Sequence, residues 1–119
     1  MKKFKLIVAG GRDFADKALF LQTMQQVEQE LAEYSVSLVS GMAKGADLMG
    51  YQFAEEYGIT CYKFPADWSM GKQAGYVRNT EMANFSDGVI AFWDGESRGT
   101  KHMIETMQNM GKQVFIVRY

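Results

Sequence analysis

Five short apolar segments alternate with four longer segments of helical periodicity, and this alternation is what most restricts the fold of the chain. The apolar segments predict strands at residues 4–9, 36–39, 59–64, 88–92 and 113–117. The segments between them predict helices at residues 16–34, 46–57, 76–85 and 99–110. Strands that alternate with helices form parallel sheets covered on both faces, which agrees with strands that are apolar throughout. We predict one Rossmann-like three-layer α/β domain over residues 1–119, with a five-stranded parallel sheet in the order 3-2-1-4-5.

The composition narrows the class of protein. With 119 residues, 47% of them hydrophobic and 23% charged, the chain fits a single globular domain. A net charge of −1 argues against nucleic acid as a partner. The apolar start that ends at Ala9 is too short for a signal-peptide core, and no run of apolar residues approaches the length of a membrane span. We therefore expect a cytoplasmic protein with no membrane association.

Glycines and basic residues collect in the loops that follow the strands. In a parallel sheet these loops emerge at one edge, where ligands bind. Eight of the twelve glycines lie in the four loops: Gly10, Gly11, Gly41, Gly45, Gly71, Gly75, Gly95 and Gly99. Six of the thirteen basic residues lie at the same edge: Arg12, Lys44, Lys72, Arg78, Arg98 and Lys101. This clustering predicts a ligand site at the carboxyl ends of the strands.

The loop chemistry favours a ligand that carries phosphate. Glycines let backbone N–H groups approach an anion, and helix N-termini add unpaired donors and a partial positive charge. Gly99 and Thr100, at the predicted start of the last helix, fit a phosphate site. Ser40 and Gly41, which follow the second predicted strand, offer a second such site. For one loop alone, a tight strand-to-helix turn is the better explanation. Three such loops beside basic residues favour the phosphate.

Arg78 and two aromatic residues suggest a nucleotide. Arg78 is expected in the first turn of its helix, where a positive charge is unfavourable, and an anionic ligand would explain it. The alternative is a solvated arginine, and a side chain that projects into solvent would matter little to the fold. Trp68 and Tyr76 flank the long loop at residues 66–75. They either stack on a base or only anchor that loop to the core.

Three further residues have structural explanations. His102 is the only histidine and has no cysteine or second histidine near it, so we expect an exposed helix position and neither a metal site nor a cofactor. Asp87 precedes a buried strand, where its carboxylate can hold a loop amide. Cys61, the lone cysteine, lies within a strand and is expected in the core.

Five short motifs occur in order over essentially the whole chain. They are residues 10–13 (GGRD), 40–47 (SGMAKGAD), 65–68 (PADW), 75–79 (GYVRN) and 99–100 (GT). Together they resemble the YspA, cpYpsA-related SLOG family of small bacterial and phage proteins. The resemblance implies a Rossmann-like fold that binds nucleotides or nucleotide-derived signals, commonly as an oligomer.

A more distant resemblance concerns the LOG enzymes, phosphoribohydrolases that release a base from a nucleoside monophosphate. Residues 78–82 (RNTEM) and 95–100 (GESRGT) look like the paired motifs of those enzymes. The resemblance implies an arginine, matched by Arg78, and a glutamate three residues after the Gly-Thr pair, where this chain has Met103. The nearest carboxylate, Glu105, is two residues further along and would point about 200° away around the helix.

We therefore predict a module that binds, senses or processes a nucleotide or nucleotide-derived small molecule. The predicted ligand-binding residues are Gly10, Gly11, Arg12, Asp13, Ser40, Gly41, Lys44, Gly45, Asp67, Trp68, Arg78, Asn79, Gly99 and Thr100. The alternative is a nucleoside 5′-monophosphate phosphoribohydrolase that pairs Arg78 with an acid from a loop. The candidate acids are Asp13, Asp67, Asp94 and Glu96.

Two predictions concern macromolecular partners. DNA-processing proteins with a related Rossmann-like domain bind single-stranded DNA, but the chain lacks a strand-length basic track, which argues against that role. Nine methionines and the apolar helix faces exceed what a small sheet needs for cover. Because SLOG proteins are commonly oligomeric, we expect a homodimer formed through helix faces.

Overall fold

All five predicted strands and all four predicted helices are present in the computed structural model, which describes residues 1–119. The strands are β1 (Lys2–Gly10), β2 (Tyr34–Ser40), β3 (Cys61–Lys63), β4 (Gly88–Trp93) and β5 (Gln113–Arg118). The helices are α1 (Lys17–Glu30), α2 (Ala46–Tyr57), α3 (Ala74–Phe85) and α4 (Arg98–Asn109). No helix is both long enough and apolar enough to cross a membrane.

The sheet is parallel throughout and has the order β3-β2-β1-β4-β5, which confirms the predicted topology. Central strand β1 pairs with β2 on one side and β4 on the other, with Leu6 opposite both Leu38 and Gly88. Alternate residues of β1 face opposite layers. Leu6 and Val8 pack with α1 and α2, whereas Ile7 packs with α3 and α4. Helices α1 and α2 thus cover one face of the sheet, and α3 and α4 cover the other. The chain therefore leaves the neighbouring strands β1 and β4 toward opposite faces, and this opens a crevice beside the carboxyl end of β1.

The segment before α3 differs from the prediction. A 3-10 helix occupies Trp68–Gln73, where the sequence predicted a loop, and α3 begins at Ala74 instead of residue 76. The Asp67 carboxylate accepts a hydrogen bond from the backbone N–H of Ser69 at 3.1 Å and so caps the 3-10 helix. Gly71 has a φ of 83°, which separates its two turns. Arg78 therefore lies in the second turn of α3, and the prediction of a first-turn position was wrong.

Helix α2 approaches the sheet closely because a glycine faces it. A Cβ atom at Gly50 would lie 2.7 Å from Cβ of Val8 in β1. Gly45, which precedes α2, has a φ of 92° and sits against the carbonyl oxygen of Gly11. Ser40 completes this junction: its hydroxyl donates to the carbonyl oxygen of Asp47 at 2.8 Å. These contacts place the first turn of α2 beside the end of β1.

Two structural predictions are resolved at the sheet margins. Asp87 accepts a hydrogen bond from the backbone N–H of Lys5 at 2.8 Å, so it holds an amide of strand β1 and not the loop amide that was expected. Cys61 is the first residue of β3 and is half-buried against the core, so its expected mid-strand core position was wrong.

Candidate functional site

A cavity of about 460 Å³ lies at the carboxyl ends of the central strands, within the usual size range for small-molecule sites. Its walls come from the loop after β1, the first turn of α2, the 3-10 helix, α3, and the segment from the end of β4 into α4. The location agrees with the predicted edge. Nine of the predicted ligand-binding residues line it: Gly10, Gly11, Arg12, Asp13, Trp68, Arg78, Asn79, Gly99 and Thr100.

Five predicted residues do not line the cavity: Ser40, Gly41, Lys44, Gly45 and Asp67. Ser40 is buried, and its hydroxyl is used by the β2–α2 junction. Gly41 supplies a carbonyl oxygen to Arg78, and Asp67 caps the 3-10 helix. The structure thus separates residues that shape the loops from residues whose atoms face the cavity.

Arg78 is half-buried and is held by protein groups on two sides. Its Nη1 donates to the carbonyl oxygen of Gly41 at 2.6 Å, and its Nε donates to Oδ1 of Asn79 at 3.1 Å. Burial lowers the pKa of Arg78, although the nearby Asp47 acts in the opposite direction. The alternative of a solvated arginine is therefore wrong. The guanidinium is thus held in the cavity wall, with two of its N–H groups hydrogen-bonded to the protein.

Asp47 is the residue that sequence reasoning missed. It lies in the first turn of α2, is 5% exposed, and lines the cavity. Burial raises the pKa of this carboxyl to about 6, while Arg78 and the backbone N–H groups of Ala43 and Gly10 lower it less strongly. A Cβ atom at Gly41 would lie 2.6 Å from both Oδ2 of Asp47 and Nη1 of Arg78. Glycine at that position lets the two opposite charges flank the same backbone segment.

Asn79 and His102 connect α3 with α4. Nδ2 of Asn79 donates to the carbonyl oxygen of Gly99 at 3.2 Å and lies 3.3 Å from Nδ1 of His102. The imidazole also packs on the ring of Tyr76 with 4.7 Å between centroids. His102 is half-buried, so its expected exposed position was wrong. Asn79 uses both ends of its amide to hold neighbouring groups of the cavity wall.

The start of α4 forms another wall. The Ser97 hydroxyl caps the helix by accepting from the Thr100 N–H, and it also lies 3.1 Å from the Thr100 hydroxyl. Asp94 accepts hydrogen bonds from the N–H groups of Ser97 and Glu96, which hold the pKa of Asp94 below its ordinary value. Gly99 lines the cavity within this first turn. Its N–H is among those that have no partner inside the helix.

Cationic and aromatic groups occupy the outer part of the cavity. Trp68 and Tyr76 are 55% and 42% exposed, so both present ring surface to solvent. The Arg12 guanidinium lies 5.6 Å from the centroid of a Trp68 ring, at cation–π distance. Lys72 adds a second exposed cation that lines the cavity. This rim suits a flat group next to an anionic one.

Two of the four candidate acids line the cavity, and the other two do not. Asp13 and Asp94 line the cavity, but Asp67 and Glu96 do not. Asp13 accepts a hydrogen bond from the hydroxyl of Tyr119 at 2.6 Å. Burial, together with this bond, raises the pKa of Tyr119.

Comparison with known protein families identifies the chain. The model of the YspA, cpYpsA-related SLOG family matches residues 4–71, which is more than half of the 119 residues. The chain belongs to the YspA, cpYpsA-related SLOG family. No match was found among curated proteins.

The SLOG match covers one part of the cavity and not the other. Gly10, Asp47 and Trp68 fall within the matched residues, whereas Arg78 and Thr100 lie beyond them. In α4, the side of the helix that carries Met103 lines the cavity, and the exposed Glu105 does not. The carboxylate whose charge acts on Arg78 in this SLOG protein, that of Asp47, is supplied by α2.

Proposed function

We propose that this protein binds a nucleotide or nucleotide-derived small molecule in the cavity at the carboxyl edge of the sheet. The observation that carries the proposal is the convergence of Arg12, Arg78 and the first turn of α4 on one cavity with an aromatic rim. Membership of the SLOG family is consistent with a nucleotide-related role.

The phosphate end of the ligand is assigned to the inner cationic wall. Arg78 keeps guanidinium donors beyond those used by Gly41 and Asn79, and planar guanidinium groups suit phosphate oxygens. The unpaired N–H groups of the first turn of α4 add donors and a partial positive charge. Gly10 and Gly11 line the cavity and bring main-chain atoms to the ligand. Glycine is needed at both positions for packing, because a Cβ atom would meet Phe92 at Gly10 and Tyr119 at Gly11.

The base is assigned to the outer rim. Trp68 and Tyr76 expose ring faces on which a purine or pyrimidine can stack. Such stacking is tolerant of base identity, because every base has a π face. The proposal therefore specifies where the base lies and not which base it is.

The test is calorimetric titration with the 5′-monophosphates of adenosine, guanosine, cytidine and uridine, and with ADP-ribose. We expect saturable binding of at least one of them by the wild type and weaker binding by Arg12→Ala. The matched control is Lys3→Ala, which removes an exposed cation at the opposite edge of the sheet. Absence of binding by all five compounds, or equal losses in the two variants, would contradict the proposal.

A second candidate function is hydrolysis of the N-glycosidic bond, and Asp47 beside Arg78 is the observation that favours it. In this reaction water adds to C1′ of the ribose, the glycosidic bond breaks, and its electron pair leaves with the base, which takes a proton. A carboxyl with a pKa of about 6 can donate or accept that proton near neutral pH. Chromatography after incubation with each monophosphate should detect free base with the wild type and none with Asp47→Asn. If no base is released, the hydrolytic function is excluded and the binding proposal stands.

A further inference from the structure

Asp47 is the only charged side chain that is fully buried in this protein. A buried carboxylate is costly unless its oxygens are well supplied with donors. The backbone N–H groups of Ala43 and Gly10 face it, but no side chain donates a hydrogen bond to it, because Arg78 donates to Gly41 and Asn79 instead. An ionised carboxylate can accept about four hydrogen bonds, so the protein supplies fewer donors than the oxygens of Asp47 can accept.

The free acceptor capacity of Asp47 faces the cavity, because the residue lines that space. The Arg78 guanidinium has unused donors, but it is held by Gly41 and Asn79 and makes no hydrogen bond to Asp47, which leaves the completion to a ligand or to solvent. A phosphate group is repelled by a carboxylate, so the ligand must bring a hydrogen-bond donor to this point. In a nucleotide the donors are the sugar hydroxyls and, on some bases, N–H groups.

Position distinguishes these two kinds of donor. Asp47 flanks Gly41 together with Arg78, the residue to which phosphate is assigned. The sugar hydroxyls are the donors closest to the 5′-phosphate along the nucleotide, whereas the base lies at the other end. The exposed rings of Trp68 and Tyr76 already provide a place for the base at the rim.

We infer that Asp47 accepts a hydrogen bond from a ribose hydroxyl, so that the site selects ribonucleotides over their deoxy analogues. The inference rests on the proposed function and names the sugar of its ligand. Arg78 and the start of α4 hold the phosphate, Asp47 holds the 2′- or 3′-hydroxyl, and the rim holds the base. The ligand is thereby fixed at three points along its length.

The experiment compares the tightest-binding ribonucleoside 5′-monophosphate with its 2′-deoxy and 3′-deoxy analogues by calorimetric titration. Loss of a hydrogen bond to a charged group should weaken binding of at least one analogue by about ten- to a hundredfold. In Asp47→Asn this ratio should fall to a few-fold, because a neutral amide oxygen is a weaker acceptor. The ratio is the readout because removal of a negative charge changes the affinity for phosphate equally in all three compounds.

Glu33→Gln serves as the matched control, since it removes an exposed carboxylate at the opposite edge of the sheet and should keep the wild-type ratio. Circular dichroism checks that both variants are folded. Equal affinities for the three compounds in the wild type, or an unchanged ratio in Asp47→Asn, would overturn the inference and leave nucleotide binding intact. Failure of every ribonucleotide to bind would instead overturn the proposed function, and the inference with it.

Discussion

Arg78 donates a hydrogen bond from Nη1 to the carbonyl oxygen of Gly41 at 2.6 Å, and this bond joins α3 to the loop between β2 and α2. The two residues are 37 positions apart in the chain. The same guanidinium also stands beside the carboxylate of Asp47. Arg78 therefore has two roles in the cavity wall, one toward the protein and one toward the ligand that we propose.

The first prediction concerns replacement of this arginine. Arg78→Ala should weaken nucleotide binding by about ten- to a hundredfold, because a charge-assisted contact is worth roughly 1.5–3 kcal/mol. The variant should also lose about 1–3 kcal/mol of unfolding free energy, since the Gly41 carbonyl loses its donor and Asp47 loses the positive charge that acts on it most strongly. Arg78→Lys should recover only part of the affinity, because an ammonium group lacks the guanidinium fork. Titration and urea denaturation measure the two effects. Equal affinity of wild type and a folded Arg78→Ala variant would show that the contact to phosphate is absent.

The second prediction concerns the stability cost of Asp47. Its pKa is about 6 in the folded protein, against an ordinary value of 3.8, so the folded protein binds the proton more tightly than the unfolded chain. Stability should therefore be greatest at low pH for this group and should fall as the pH rises from about 4 to about 6. Asp47→Asn cannot ionise and should be more stable than the wild type at pH 7 by up to about 3 kcal/mol.

Urea denaturation of wild type and Asp47→Asn across this pH range is the measurement. The stability difference should shrink as the pH falls, because the wild-type carboxyl is then protonated in both states. If Asp47→Asn were less stable than the wild type at pH 7, the hydrogen bonds and charges around the carboxylate would stabilise the folded protein by more than its burial costs. A gain in stability together with a loss of sugar selectivity is the pattern expected of a residue kept for binding.

The third prediction concerns His102, whose resonances can be followed without assignment because it is the only histidine. Burial lowers the pKa of His102 below its ordinary value of 6.5. The Asn79 amide, which lies 3.3 Å from Nδ1, supports the neutral ring by donating to it. Titration by proton NMR should give a midpoint below 6.5, and Asn79→Ala should raise it. A midpoint at or above the ordinary value in the wild type would exclude this arrangement.

The fourth prediction concerns the end of α3. The Lys112 ammonium donates to the carbonyl oxygens of Ala83 at 2.6 Å and Ser86 at 2.7 Å, and so satisfies groups that the helix end leaves free. Lys112→Met should lower the unfolding free energy by about 1–3 kcal/mol and leave nucleotide binding unchanged, because the site lies at the other end of α3. The control is Lys101→Met, which changes an exposed lysine of α4. Equal stability of the two variants would show that the cap contributes nothing.

The sequence was sufficient for the sheet because its signals are strong and local. Continuous apolar runs mark buried parallel strands, and glycines such as Gly58 mark helix ends. The topology then follows from right-handed crossovers and from the change of faces beside β1. The edge that carries the cavity follows from the topology, and nine of the predicted residues line it.

The interior of the site was harder to predict, because it depends on distances between segments. Asp47 was visible as the last residue of a glycine-rich motif, but its burial arises only when α2 packs on β1. Arg78 lies in the second turn of α3, because the helix starts at residue 74 and not at 76, and its contact with Gly41 spans 37 positions of the chain. The contact between Asn79 and His102 joins residues that are 23 positions apart on two different helices, for which the sequence carries no signal.

Gly50 faces Val8 three residues after Asp47, on the side of α2 that is turned to the sheet. Any side chain there would push the helix outward and carry the carboxylate with it. The depth of the cavity therefore depends on the absence of a side chain at Gly50, a residue that does not line the cavity. Variation at Gly50 or Val8 could retune which molecule fits without altering a single residue that lines the cavity.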